Sequence, residues 1–183
     1  MSKRKSNLKS LILNAFICVF VVIGFCMVFT NLLVTTGDLS ISGTSIVKGT
    51  NEISGLGVIF GGSQLITTTV ELFGKVSVST LNYDFAFNIV GMLAFILPLV
   101  GAVLIVLNKF FTKKTPILSI VGTLLLAVGF VLLFFISMSF KAVNPDFKDV
   151  DFTNGAGLTI TIVAFGLATL LSCLKLFFLD FKK

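Results

Sequence analysis

Four blocks of apolar residues, at 11–33, 85–107, 117–140 and 156–179, alternate with polar stretches along the chain. Inside each block the hydrophobic positions run on without the regular polar gaps of an amphipathic helix. At about 1.5 Å of rise per residue each block is long enough for a hydrocarbon core of about 30 Å. The pattern predicts four transmembrane α-helices. The first is preceded by Met1-Ser-Lys-Arg-Lys, which resembles the basic start of a secretory signal. Its apolar run, however, exceeds the ~7–15 residues of a signal core and no small-x-small cleavage site follows Leu33, so it reads as a retained helix.

The polar stretches differ from one another. Residues 108–116 are short and carry Lys109, Lys113 and Lys114, which makes helices two and three a hairpin with Pro116 in the first turn of the third. Residues 34–84 change to Ser, Thr, Gly and β-branched types, and alternation in Asp38-Leu-Ser-Ile-Ser and Lys75-Val-Ser-Val-Ser predicts strands. Turn positions at Gly61-Gly62 and Gly74-Lys75 divide Leu56 to Phe60, Gln64 to Phe73 and Val76 to Leu81 into hairpin-like units. A structureless loop of this length is uncommon, so a small sheet of three to five strands is expected. Residues 141–155 form a shorter acidic loop with a turn at Asn144-Pro145. The expected fold class is an all-α transmembrane four-helix bundle with a small extracytoplasmic β-rich module between helices one and two.

Charge sets the orientation. The segments 1–10, 108–116 and 180–183, with Lys175 just ahead of the last, hold ten of the fourteen basic residues, whereas 34–84 and 141–155 hold four. By the positive-inside rule both termini are cytoplasmic and the plasma membrane is the expected location. The net charge of +6 therefore belongs to membrane flanks rather than to a nucleic-acid face. Lys175, the one charge inside a block, is near enough to the block's end to snorkel. Thirteen lysines to one arginine, with abundant Phe, Ile and Asn, point to a low-GC bacterium.

Within lipid, helices approach closely at small residues. Gly91, Ala94, Pro98 and Gly101 form such a stripe on helix two, Gly122 and Gly129 on helix three, and Gly157, Ala164 and Ala168 on helix four. Pro98 removes one backbone hydrogen bond and predicts a bend with the Ala94 carbonyl released. The chain has no histidine, and Cys18, Cys26 and Cys173 all fall inside apolar blocks, so neither a zinc site nor a cofactor is expected. Carboxylates lie only in loops or at boundaries, and Ser119 and Ser172 lack a base. No catalytic residue is therefore expected, and the two serines read as hydrogen bonders to helix backbone.

The remaining expectation is a non-enzymatic interaction, scaffold or accessory subunit that binds through its β-rich outer loop. The partners are the lipid bilayer and another membrane or surface protein, or a second copy; nucleic acid is not one. The alternative is an oligomeric small-solute channel or transporter component, lined by Thr123, Thr159, Thr161 and Thr169.

With Tyr83-Asp-Phe-Ala-Phe-Asn-Ile-Val-Gly opening helix two, a lysine-rich hairpin, and Asn154-Gly-Ala-Gly-Leu opening helix four, the chain resembles small four-helix membrane proteins of low-GC Gram-positive bacteria. The order of long outer loop, short inner loop and shorter outer loop is also similar to the layout of claudins. That likeness implies an outer sheet that mediates contacts between proteins. The claudin Gly-Leu-Trp and paired-cysteine signature is missing, since the chain has no tryptophan and no cysteine in either outer loop.

Overall fold

The computed structural model describes residues 2–36, 50–72, 75–111, 116–145 and 150–180. In chain order its elements are α1 (Ser2–Cys26), a 3-10 turn (Met27–Phe29), β1 (Asn31–Thr36), β2 (Thr50–Ser54), α2 (Gly55–Phe60), β3 (Gly62–Leu72) and β4 (Lys75–Phe85). They continue with α3 (Ile89–Phe111), α4 (Ile117–Leu133), α5 (Ile136–Val143), β5 (Phe152–Asn154), α6 (Ala156–Lys175) and a π-helical turn (Leu176–Asp180). The chain divides into two units. Unit 1 gathers residues 1–26, 93–134 and 160–183; unit 2 gathers 27–92 and 135–159.

Three stretches, Leu8–Phe29, Ile89–Asn108 and Ala156–Leu179, are long and apolar enough to cross a membrane. A fourth span exists if Ile117–Leu133 and Ile136–Val143 act as one, and these two helices are bent by 63° at the break between them. The third apolar block is therefore not the single helix expected over 117–140. The break falls at Phe134 and Phe135, both exposed, where the Phe134 amide donates to the carbonyl of Val131 in a tightened last turn. The proline-bearing α3, by contrast, runs unbroken through Pro98.

In unit 1 the inward positions recur every three or four residues. On α1 they are Asn14, Ile17, Val21 and Gly24; on α4, Ser119, Gly122, Leu126, Gly129 and Leu133; on α6, Thr161, Ala164, Phe165, Ala168, Ser172 and Lys175. Large apolar side chains occupy the outward positions, with Val19, Val103, Leu124 and Leu170 each more than half exposed. Apolar side chains thus occupy both faces of these helices, unlike a helix on a water-soluble core, whose outer face is polar.

In unit 2, β1 is the central strand of a three-stranded sheet in the order β2-β1-β5, antiparallel on both sides. A register shift between Asn31 and Leu33 in the β1–β2 pairing breaks the strict alternation, and the neighbours Leu32 and Leu33 are both fully buried. Ile53, Val58, Ile59, Leu158 and Phe140 complete an apolar core, with the Phe140 ring 5.1 Å from that of Phe85 and 5.4 Å from that of Phe152. A second sheet is the β3–β4 hairpin, paired without interruption from Gly62 opposite Phe85 to Leu72 opposite Lys75.

Several expectations change here. Leu56 to Phe60 is the helix α2, not a strand, because Ser54 caps its first turn by accepting from the Gly57 amide and Gly61, at φ +71°, ends it. The strand module is not confined to the loop between helices one and two: β5 comes from the second outer loop, and β1 takes Leu32 and Leu33 from the end of the first apolar block. The second block opens as strand, with Phe85 closing β4 and the helix starting at Ile89. The strand expected at Asp38 and the turn position Gly74 lie outside the described residues.

Candidate functional site

The small residues expected at helix contacts occupy two kinds of place. On α3 and α4 they meet each other: a Cβ on Gly101 would lie 2.6 Å from the Gly122 carbonyl oxygen, and one on Gly122 equally close to that of Gly101. One level along, a Cβ on Gly129 would strike the Pro98 ring, and the Ala94 carbonyl oxygen would stand 3.2 Å from it. Ala94, Ala164 and Ala168 are buried. Gly91 and Gly157 belong to unit 2 instead. Gly91 faces Asn88 and Ile59, and Gly157 faces Thr30 and the carbonyls of Met27 and Asn31. Gly24 on α1, outside the predicted stripes, lies against the Phe165 ring and accepts from Thr161 Oγ1 at 3.2 Å. Its four-residue offset from any second small residue is absent, so only the fold reveals it.

Toward the other end of α1 and α6 unit 1 carries a buried polar layer. Lys175 Nζ donates to Ser119 Oγ at 3.1 Å, the Thr123 hydroxyl donates to the Ser119 carbonyl at 2.7 Å, and the hydroxyls of Thr123 and Ser172 meet at 2.5 Å. Spacing four apart on α4 and three apart on α6 sets these groups on facing stripes. Asn108 joins by register: Ile105 touches Gly122, so one turn further on α3 stands level with Ser119 three residues earlier on α4. Asn14 is ten residues before Gly24 on α1, and Ser172 is eleven after Thr161 on the antiparallel α6, which sets them at one height. Four helical segments thus contribute buried polar groups at one level, and the Asn14 Oδ1 has no hydrogen-bond partner among the described residues.

Two readings of the sequence change at this layer. Lys175 does not snorkel; it is 3% exposed and turned inward. Ser119 has an amine within hydrogen-bond reach after all, supplied from 56 residues away. Such a hydroxyl and amine are the parts of a nucleophile and base. Here both are enclosed, Ser119 at 2% exposure, and the pair as it stands links α4 to α6. Thr159 and Thr169 donate to the carbonyls four residues earlier in their own helix segments.

In unit 2 two buried asparagines join elements. Asn88, 1% exposed, donates from Nδ2 to Ser139 Oγ at 3.0 Å, accepts from the Gly91 amide at 3.1 Å, and its own amide donates to the Ile59 carbonyl at 2.9 Å. Asn144 accepts from the Ala86 amide through Oδ1 at 2.8 Å and donates to the Phe140 carbonyl at 3.0 Å. The expected turn at Asn144-Pro145 is thus also a fastener between the end of α5 and the segment that leads into α3. The β3 and β4 strands pair with one another and, among the described residues, with no third strand.

No protein-family model matches the chain, and no curated protein matches its sequence.

Proposed function

We propose that this is a polytopic protein of the plasma membrane, with both ends in the cytoplasm, that acts without catalysis as an interaction or accessory subunit. Its partners are engaged through the extracytoplasmic strands of unit 2. The lysine-rich segments all belong by sequence to unit 1 and both acidic loops to unit 2, which agrees with the positive-inside assignment.

The observation that carries the interaction reading is the β3–β4 hairpin. Its two eleven-residue strands each have an outer edge of backbone donors and acceptors, and such an edge pairs readily with a strand from another chain. A two-stranded ribbon alone is marginal in water, so a third strand would stabilise it. The register dictates the test. Thr67 to Thr80 is removed and Ile66 joined to Leu81, its paired residue, through Asn-Gly, which leaves the sheet around β1 intact. Crosslinking in native membranes followed by mass spectrometry should recover partners from the wild type and none from the shortened chain. Identical partners in both would refute the reading.

The polar layer of unit 1 favours a second reading, passage of a small solute, because a buried amine among membrane helices is costly and commonly marks a pathway. Solute flux into liposomes holding the purified protein tests it, with Lys175→Met as the comparison.

A further inference from the structure

Next to the polar layer, α1 and the end of α6 part to leave an open groove of about 520 Å³, lined by Lys9, Ile12, Leu13, Leu174, Phe178 and Leu179. Eleven residues beyond Leu13, Gly24 brings the same two helices into contact, so the opening is local to this end. Its α6 wall explains the parting. Beyond Lys175 the helix widens into the π-helical turn Leu176–Asp180, which adds a residue to the turn and carries Phe178 and Leu179.

The groove is chemically graded along its length. Lys9 stands at the outer end, with Lys5 one helical turn further out on α1, while Ile12 and Leu13 lie one turn deeper beside Leu174. A cation at the end and apolar walls below match the order of an anionic headgroup above an acyl chain. A water-soluble anion would use only the cation, and an apolar helix would leave the cation idle.

We infer that this groove binds one anionic phospholipid, its phosphate on Lys9 and one acyl chain along Ile12, Leu13, Leu174 and Phe178. The inference rests on reading these helices as membrane spans. It assigns α1 and α6 a specific lipid at the basic end of the protein, beyond the general attraction of lysines to an anionic surface, which needs no cavity.

Native mass spectrometry of the full chain in detergent tests it, with phosphatidylglycerol and phosphatidylcholine of identical chains as probes. The wild type should retain phosphatidylglycerol over phosphatidylcholine by about fivefold, the contribution of a single well-placed cation. Lys9→Gln should bring the two lipids to parity, and Leu174→Trp, which fills the groove, should remove both. Leu170→Trp, on the exposed flank of the same helix, should bind as the wild type does. Equal retention of the two lipids by the wild type overturns the inference, as does a Leu174→Trp variant indistinguishable from Leu170→Trp. Circular dichroism checks that each variant keeps its helices. Extraction of native membranes with alkaline carbonate is scored separately: release of the wild type would refute the membrane reading itself, whereas retention with no lipid preference refutes the groove alone.

Discussion

In unit 1 the inward positions mix Gly24, Gly122, Ala168, Asn14, Ser119, Ser172 and Lys175 with Ile17, Leu126 and Phe165, while Val19, Leu124 and Leu170 point outward; in unit 2, Leu32, Leu33, Ile53 and Phe140 are inside while Asp84, Asp151 and Thr153 are outside. On the proposed membrane reading, one chain uses two rules of burial. Where water is the solvent, removing large apolar surface drives association at roughly 25 cal/mol per Å². Where the solvent is itself hydrocarbon that term vanishes, and helices associate by close backbone approach and hydrogen bonds. The contrast makes unequal demands on mutations in the two units.

The largest effect belongs in unit 2. Phe140 has no exposed surface and packs between the rings of Phe85 and Phe152, so Phe140→Ala should destabilise the strand unit by about 3–5 kcal/mol. Hydrogen exchange reads this locally, as lost protection of the β1 and β2 amides. A cost under about 1 kcal/mol would mean that this core is not built on the water-soluble rule.

In unit 1 the sensitive change adds atoms rather than removing them. Gly122→Ala sets a methyl 2.6 Å from the Gly101 carbonyl oxygen and 2.8 Å from Ile105 Cγ1, and the clash with the backbone oxygen is not relieved by moving a side chain. The expected cost is about 1–3 kcal/mol in detergent unfolding followed by circular dichroism. Leu124→Ala, at a position 60% exposed, should stay within about 0.5 kcal/mol. Reversal of that order would remove the distinction between the two units.

Backbone conformation gives the next effect. Gly61 ends α2 at φ +71° with the Phe85 carbonyl against its open side, so Gly61→Ala should lose about 1–2 kcal/mol. Gly62, at φ +92° with nothing near, should lose less than Gly61 on the same change. Equal losses would show that strain alone, and not the close approach of Phe85, makes glycine necessary at 61.

What was legible in the sequence follows from the same contrast. Long charge-free runs register any helix that is apolar on all sides, which is why the blocks starting near residues 11, 85, 117 and 156 all contain helix. The ends of those runs are less legible, because hydropathy does not distinguish Leu32 in a buried strand from Leu13 in a helix. Leu56 to Phe60 has an apolar run too short to reveal its period, and the cap at Ser54 carried the decisive information. The Gly101 and Gly122 approach was visible as spacing within each helix, although which glycine meets which depends on register. The Ser119 and Lys175 contact could not be read from spacing at all: the partners are far apart in sequence, and only antiparallel packing of α4 with α6 joins them.

That contact yields the smallest effect and separates two meanings of the polar layer. A hydrogen bond between membrane helices contributes about 0.6 kcal/mol on average and at most about 1.7 kcal/mol, because the separated helices find other partners. A double-mutant cycle of Lys175→Met and Ser119→Ala should return a coupling in that range. Lys175→Met alone, which replaces a buried amine by an apolar chain of similar length, should be neutral or stabilising, since the cost of removing a charge from water is relieved along with the bond. A loss above about 3 kcal/mol would identify Lys175 as a clasp that holds α4 to α6, with the layer serving the fold. A neutral result leaves an amine that four helical segments enclose without a return in stability, and the flux comparison between Lys175→Met and the wild type then tests directly whether the layer serves a solute.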